Sequence, residues 1–257
     1  MIEKKIHYCW FGRGEMKPLM KKCLKSWKKY CPDYEIIEWN EDNFDVNSTL
    51  WTKQAYEAKK YAFVSDYVRL NVLYEQGGVY MDTDVEVVKP IDQFLDNDAF
   101  SGFESENSVP TGIIASEKGN IVIKRWLDYY KDRPYIVDGK VCMEPNVEFM
   151  KKDLIEHGLI MNDEMQILDG ITIYPQTYFC PLSPVSIEQK ITENTYTLHH
   201  FTSTWRTEKA LKDFARLKRH QTKWYRTLEK IRYLPNKAVR KIFGDERVDS
   251  LKGKLKK

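Results

Sequence analysis

Two aspartates, Asp82 and Asp84, follow directly on the apolar run Val79, Tyr80, Met81. Carboxylates placed where a buried strand runs out are costly unless a positive charge sits between them. Residues two apart on an extended chain share a face, so Asp82 and Asp84, with Thr83 between them, can reach one ligand. Hard oxygen donors of this kind suit Mn2+ or Mg2+ held jointly by protein and a diphosphate. Upstream, Asp66 and Arg69 are three apart, and on a helix they share a face. They suit an ordinary exposed ion pair or a clamp on sugar hydroxyls and phosphate, for which the planar guanidinium is fitted. His7 and Trp10 close the first apolar run, at the edge where open α/β sheets bind ligands. The indole there can stack on a base or fill core. His199 and His200, with Ser203 and Trp205, end the last apolar run. An imidazole can complete a metal shell begun by carboxylates, and paired histidines also serve as satisfied, partly buried residues.

These residues need elements to hold them. Val64, Val68, Val72 and Leu73 recur at helical spacing, so a helix from Tyr61 packs one face inward and carries Asp66 and Arg69. Gly77 and Gly78 end it and turn the chain into the short strand that delivers Asp82 and Asp84. Before it, Lys5–Trp10 is a strand, Pro18 opens a helix to Tyr30, and Tyr34–Trp39 is a second strand. That β-α-β order predicts a parallel pair and an α/β fold. After it, strands are expected at 99–104, 112–116 and 195–200, and helices at 121–130 and 145–157. Asp169-Gly170 between 165–168 and 171–174 is a two-residue hairpin signal.

The chain has 257 residues and is 42% apolar, enough for one full core. Its five cysteines are odd in number and nowhere spaced C-x-x-C, which predicts reduced thiols and a cytoplasmic location. The opening MIEKKIHYCWFG lacks the long apolar run of a signal peptide, and no stretch reaches ~18 apolar residues. Charge is divided unevenly. From Arg206 onward 18 Lys+Arg face 6 Asp+Glu, whereas residues 1–205 hold 23 against 32. An acidic body excludes the basic groove of a nucleic-acid enzyme. The basic tail keeps helical apolar spacing at Leu211, Phe214, Leu217, Trp224, Leu228 and Ile231, which fits either an anionic membrane surface or packing on the body. Two domains are therefore expected, 1–205 and a helical extension over 206–257.

Taken together the segments IHYCWFG, AFVSDYVRLNVLYEQGGVYMDTDVEVVKPID, ITIYPQTYFCP and HHFTSTW follow a known order. Over roughly residues 4–205 the chain resembles glycosyltransferase family 32, the capsular-polysaccharide type whose sugar-binding region contains a DXD motif. The resemblance implies a GT-A fold, a nucleotide-sugar donor, a divalent metal, a glycan or lipid-linked glycan acceptor and retention of anomeric configuration. By position it implies Trp10, beside His7, on the nucleotide base, and Asp66 and Arg69 on the donor sugar. It implies Asp82 and Thr83 near ribose and sugar, Asp84 as the direct metal ligand and His200 as a further one. Ser203 and Trp205 would lie near the diphosphate, although Thr204 intervenes where the commoner ending has Ser next to Trp. Asp84, Asp82 and Arg69 are the residues expected at the reacting centre. Two other classes remain: a carbohydrate- or membrane-binding module without catalysis, and an Asp-based phosphatase. The phosphatase motif wants Thr or Val where Glu86 stands.

Overall fold

The computed structural model of the protein describes residues 1–142, 144–182 and 189–202. The extension expected over 206–257, with Ser203 and Trp205, lies outside the described residues.

The chain begins with β1 (Lys5–Cys9), α1 (Pro18–Tyr30) and β2 (Glu35–Trp39). Pro18 opens α1, where a missing N–H costs nothing, and Lys28 and Lys29 sit in its last turn, opposite in charge to that end of the helix dipole. Met20, Cys23 and Trp27 form its buried stripe. α2 (Leu50–Glu57) starts at Thr49, whose side chain accepts from the Thr52 N–H. α3 (Tyr61–Gln76) buries Phe63, Val64, Val68, Leu70, Val72 and Leu73, so it is a core helix.

β3 (Gly78–Met81) leaves α3 through the double glycine, and β4 (Val85–Val87), unforeseen from the sequence, follows the aspartates. A single 3-10 turn at Asp92–Phe94 precedes β5 (Ala99–Gly102), β6 (Ile113–Ser116) and α4 (Ile121–Asp128). The hairpin β7 (Ile136–Val137) and β8 (Lys140–Val141) was also not anticipated. The remaining elements are α5 (Asn146–Glu156), β9 (Gln166–Leu168), β10 (Ile171–Tyr174), α6 (Gln176–Phe179) and β11 (Thr197–His199).

Seven strands make one sheet in the order β2-β1-β3-β6-β5-β10-β9. β1 pairs parallel with both β2 and β3, in register His7↔Ile37 and His7↔Tyr80. β6 runs antiparallel between β3 and β5. This is an α/β, Rossmann-like sheet with a parallel first half, as the β-α-β order predicts. β11 and β4 form a separate antiparallel pair, His199 opposite Val85.

Both faces of the sheet are covered, and strand alternation divides β3 between them. Tyr80 joins a core with Phe63, Val68, Trp51 and Trp126 from the helices of one face. Val79 and Met81 join Trp27, Val85, Phe100 and Phe179 on the other. The five cysteines are free thiols, four of them buried, consistent with packing roles.

The bend at 77–78 admits little but glycine. Gly77 and Gly78 have φ of +68° and +107°, in the left-handed range that L side chains avoid. A Cβ on Gly78 would stand 2.9 Å from both His7 Nε2 and the Lys5 carbonyl oxygen. Gly78→Ala should therefore lower folding stability by about 2 kcal/mol or more in urea denaturation. A loss below ~0.5 kcal/mol would show that the bend yields freely.

Candidate active site

α3 and β3 converge on one guanidinium. Arg69 Nη2 lies 3.0 Å from Asp66 Oδ1 and 3.3 Å from Asp82 Oδ1, while its Nε donates to the Ser65 carbonyl at 3.3 Å. The guanidinium carbon stands 4.7 Å from the centre of the Tyr80 ring, a cation–π contact. The Tyr80 hydroxyl donates to Asp82 Oδ1 at 3.2 Å. The Asp66–Arg69 pair is thus a buried pair, each side chain 12% exposed, not the solvated one that its spacing also allowed. Burial first, and the Asp82 charge second, push the Asp66 carboxyl up to about 6, with Arg69 pulling the other way.

Asp82 and Asp84 meet through a turn, which corrects the extended chain expected there. The Val85 N–H donates to the Asp82 carbonyl at 2.9 Å, closing a four-residue turn with Thr83 half-buried inside it. Asp84 is buried and fully engaged. His199 Nε2 stands 3.3 Å from its Oδ1, and Thr202 donates to its Oδ2 from the backbone N–H at 2.7 Å and the hydroxyl at 2.8 Å. Although burial opposes it, these donors hold the Asp84 carboxyl well below the usual carboxylate range. His199 moves the opposite way. Burial lowers it, but the Asp84 bond and the nearby Cys180 raise it well above an ordinary imidazole.

The histidine beside the carboxylates is His199, not His200. Successive residues of β11 face opposite ways, so Thr197 and His199 turn inward and His200 turns out. His200 Nε2 instead contacts Glu86 Oε2 at 2.9 Å, and Glu86 also pairs with Lys22 of α1 at 2.8 Å. Asp82, Asp84 and His199 offer three ligand atoms that all lie within 4.8 Å of one another. Two carboxylates and an imidazole fit a divalent cation of the Mg2+ or Mn2+ class.

His7 takes no part in such a site. It is fully buried, with Nε2 at 2.9 Å from the Gly77 carbonyl and Nδ1 accepting from Trp39 Nε1 at 3.1 Å. One nitrogen braces the glycine bend and the other holds Trp39 of β2, so the donor contact expected of His7 is replaced by structural ones. Trp10 does sit beyond the end of β1, half-buried, with Nε1 donating to the Gly14 carbonyl at 2.6 Å.

Three contributors were not foreseen. Glu104, beyond β5, brings Oε1 to 3.7 Å from His199 Nδ1. Gly112 donates no side chain, yet a Cβ there would meet Asp82 Oδ2 and His199 Cε1 at 3.0 Å. Thr202 holds Asp84 as described, next to Phe201, whose φ of +52° is strained for a bulky residue. Only the glycine could have suggested a close approach from sequence, and a lone glycine says little.

Residues 18–101 match the family described as the glycosyltransferase sugar-binding region containing DXD motif. That match covers about a third of the chain and includes Asp66, Arg69, Asp82 and Asp84. Two curated relatives extend the likeness. The chain is 26% identical over 162 residues to Subversion of eukaryotic traffic protein A of Legionella pneumophila, covering 49% of this chain and 24% of that protein. It is 28% identical over 123 residues to Inositol phosphoceramide mannosyltransferase 3 of Schizosaccharomyces pombe, covering 46% and 34%. The chain thus spans 24% and 34% of these relatives' lengths. Among solved structures, a glycosyltransferase involved in glycosylating the major capsid of PBCV-1 aligns over 84% of this chain and 98% of its own, at 13% identity and a TM-score of 0.43. PaToxG glycosyltransferase aligns over 49% and 59%, at 22% identity and 0.38. The GT-A expectation that accompanies the resemblance is compatible with the α/β sheet described above.

The Asp66 carboxyl yields a pH test. Its folded value of about 6 lies above the ordinary 3.8, so between them the native state binds a proton that the unfolded chain has released. Stability therefore falls as pH rises through that window, by about 3 kcal/mol for a shift of this size. Arg69 and Asp82 are the charged groups that bear on it. Measured against Asp66→Asn, the native protein should lose this much relative stability from pH 4 to 7. A difference that stays flat would mean that Asp66 ionises as an exposed carboxylate.

Proposed function

We propose that the chain is a metal-dependent, retaining glycosyltransferase. It moves a hexose or N-acetylhexosamine from a UDP-linked sugar to a glycan acceptor. The observation that carries this reading is the convergence of Asp82, Asp84 and His199 within 4.8 Å, next to a buried Arg69, in a chain whose residues 18–101 match the DXD sugar-binding region. Residues 1–205 form the transferase domain in this reading, and 206–257 an accessory extension.

Asp82, Asp84 and His199 would hold a divalent cation, Mn2+ or Mg2+, which when bound would supply Lewis-acid neutralisation of the diphosphate. Everything else is done by the chain. Asp66 and Arg69 orient the donor sugar and its hydroxyls. Trp10 stacks on the base, and Asp82 and Thr83 stand near the ribose. Ser203 and Trp205 are assigned to the diphosphate. The glycosidic bond to the diphosphate breaks while the acceptor hydroxyl attacks the anomeric carbon from the same side, through an oxocarbenium-like state, its proton passing to the departing phosphate oxygen. That front-face route needs no protein nucleophile and retains configuration.

The acceptor is proposed to be lipid-linked, as in capsule, O-antigen or exopolysaccharide synthesis, with the enzyme peripheral at the inner face of the membrane. The basic extension supplies the attraction to anionic lipid. No helix among the described residues is long and apolar enough to cross a membrane. One relative is named for mannosyl transfer to a lipid, inositol phosphoceramide, which favours GDP-mannose as a second donor candidate.

A panel of UDP- and GDP-sugars with Mn2+ should show nucleotide release from one donor. Asp84→Asn should lower that release by about 100-fold or more. Full release by the variant without added metal would overturn the reading, and phosphate release from simple esters would favour a phosphatase. The full chain should also co-sediment with anionic vesicles but not zwitterionic ones, and detach as salt rises to ~1 M. Equal pelleting on both lipids would remove the membrane role of the tail.

A further inference from the structure

His199 is held on every side but one. Its ring stacks on Phe201 at 4.2 Å and 23°. Gly112 backs it so closely that an added Cβ would stand 3.1 Å from Nδ1. Nε2 faces Asp84 Oδ1 at 3.3 Å. Nδ1, by contrast, is buried and makes no hydrogen bond. A buried ring N–H or lone pair left unsatisfied is costly, so this nitrogen points to a partner.

A charged group within reach is the Glu104 carboxylate, whose Oε1 is 3.7 Å away. That is beyond a hydrogen bond and within reach of one by a small side-chain adjustment. Glu104 is built to make that adjustment with one oxygen only. Its Oε2 accepts from the Ser108 hydroxyl at 2.9 Å. Its backbone N–H donates to the Ser108 carbonyl at 2.8 Å, and its carbonyl accepts from Gln176 Nε2 at 2.9 Å. The residue is therefore anchored at three points, and Oε1 is left aimed at the imidazole. Glu104 is not itself among the residues whose ligand atoms cluster at the aspartates.

We propose that Glu104 is a positioning residue for the cation site: its Oε1 accepts the Nδ1–H of His199, fixing the tautomer whose Nε2 lone pair faces the metal beside Asp84. A ligating imidazole has two nitrogens, and the one not bound must be a donor held by an acceptor if the ring is to keep its orientation. Carboxylates in that place are a recurring arrangement around protein-bound metals. The inference rests on the cation reading above and adds to it the residue that sets ligand geometry.

The test is a Mn2+ titration of the full chain, following free Mn2+ by electron paramagnetic resonance, together with nitrogen-15 spectra of the Mg2+-loaded protein. Native protein should bind Mn2+, and Asp84→Asn should weaken binding. Glu104→Ala should weaken it about 10- to 100-fold. Glu104→Gln, whose carbonyl oxygen still accepts an N–H, should restore most of that loss. In the native spectrum His199 should carry its proton on Nδ1. Tight Mn2+ binding by Glu104→Ala, with binding still lost in Asp84→Asn, would sink this proposal and leave the cation reading standing. Binding that ignores Asp84→Asn would sink the cation reading, and this inference with it. Should Glu104→Ala fail to fold, the native spectrum decides: a metal-loaded His199 protonated on Nε2 overturns the proposal, and one protonated on Nδ1 upholds it.

Discussion

The arrangement depends on a guanidinium buried between a helix and the end of a strand. Arg69 cannot be taken out of water without partners, and its partners are Asp66 on its own helix and Asp82 past β3. Those two contacts fix the rotation of α3 against the sheet and the direction in which Asp82 points. Tyr80 completes the cage by placing its ring under the guanidinium and its hydroxyl on Asp82. Removing Arg69 alone would strand two carboxylates, which makes this pair a constraint on the whole site rather than a local contact. Even so the charge does not balance. One guanidinium serves Asp66 and Asp82, while Asp84 and Glu104 gather around a single imidazole. The excess of negative charge is what a divalent cation, and through it a diphosphate, would offset.

The opposite face of the sheet does the holding. α1 grips the chain just after the aspartates. Trp27 Nε1 donates to the Val85 carbonyl at 2.7 Å, and the Val87 N–H donates to the Ser26 hydroxyl at 2.9 Å. β4 is thereby pinned, and β11 pairs with β4 in a register that sets His199 opposite Val85. The position of the imidazole is transmitted from α1 through β4 to β11. A three-residue strand could not hold a ligand on its own pairing alone.

Legibility in the sequence follows the range of the interaction. α3, the double glycine and β3 are readable because helix period, breaker and apolar run are local signals. So are the β1–β2 parallel pair and the hairpin at Asp169-Gly170. What failed involved a turn or a second element. Asp82 and Asp84 share a centre because of a turn at Thr83, which no D-x-D spacing announces. His199 could have been preferred to His200 by counting alternation from the buried Thr197, but that burial exists only because β11 pairs with β4, a strand with no periodic signature. His7 was drawn to the ligand edge by its position, whereas its two hydrogen bonds come from Gly77 and Trp39, far along the chain. Glu104 carried no signal at all. The β7–β8 hairpin is legible in the sequence, since Asp138-Gly139 is a two-residue turn signal and both residues have positive φ.

Asp84 carries a further consequence. Both of its oxygens are occupied, Oδ1 by His199 and Oδ2 twice over by Thr202. A cation drawing on this carboxylate must share it with those donors or displace one of them. The His199 contact can yield, because that imidazole would turn its lone pair to the cation. The Thr202 contacts are different, since they hold the left-handed Phe201 in place, and the Phe201 ring lies on His199. Losing them would release the strain at Phe201 and the wall against His199 together. A cation would therefore be better served by Oδ1, with Oδ2 kept on Thr202. In that division of labour one carboxylate would both present a ligand atom and secure the segment that shapes the other ligand.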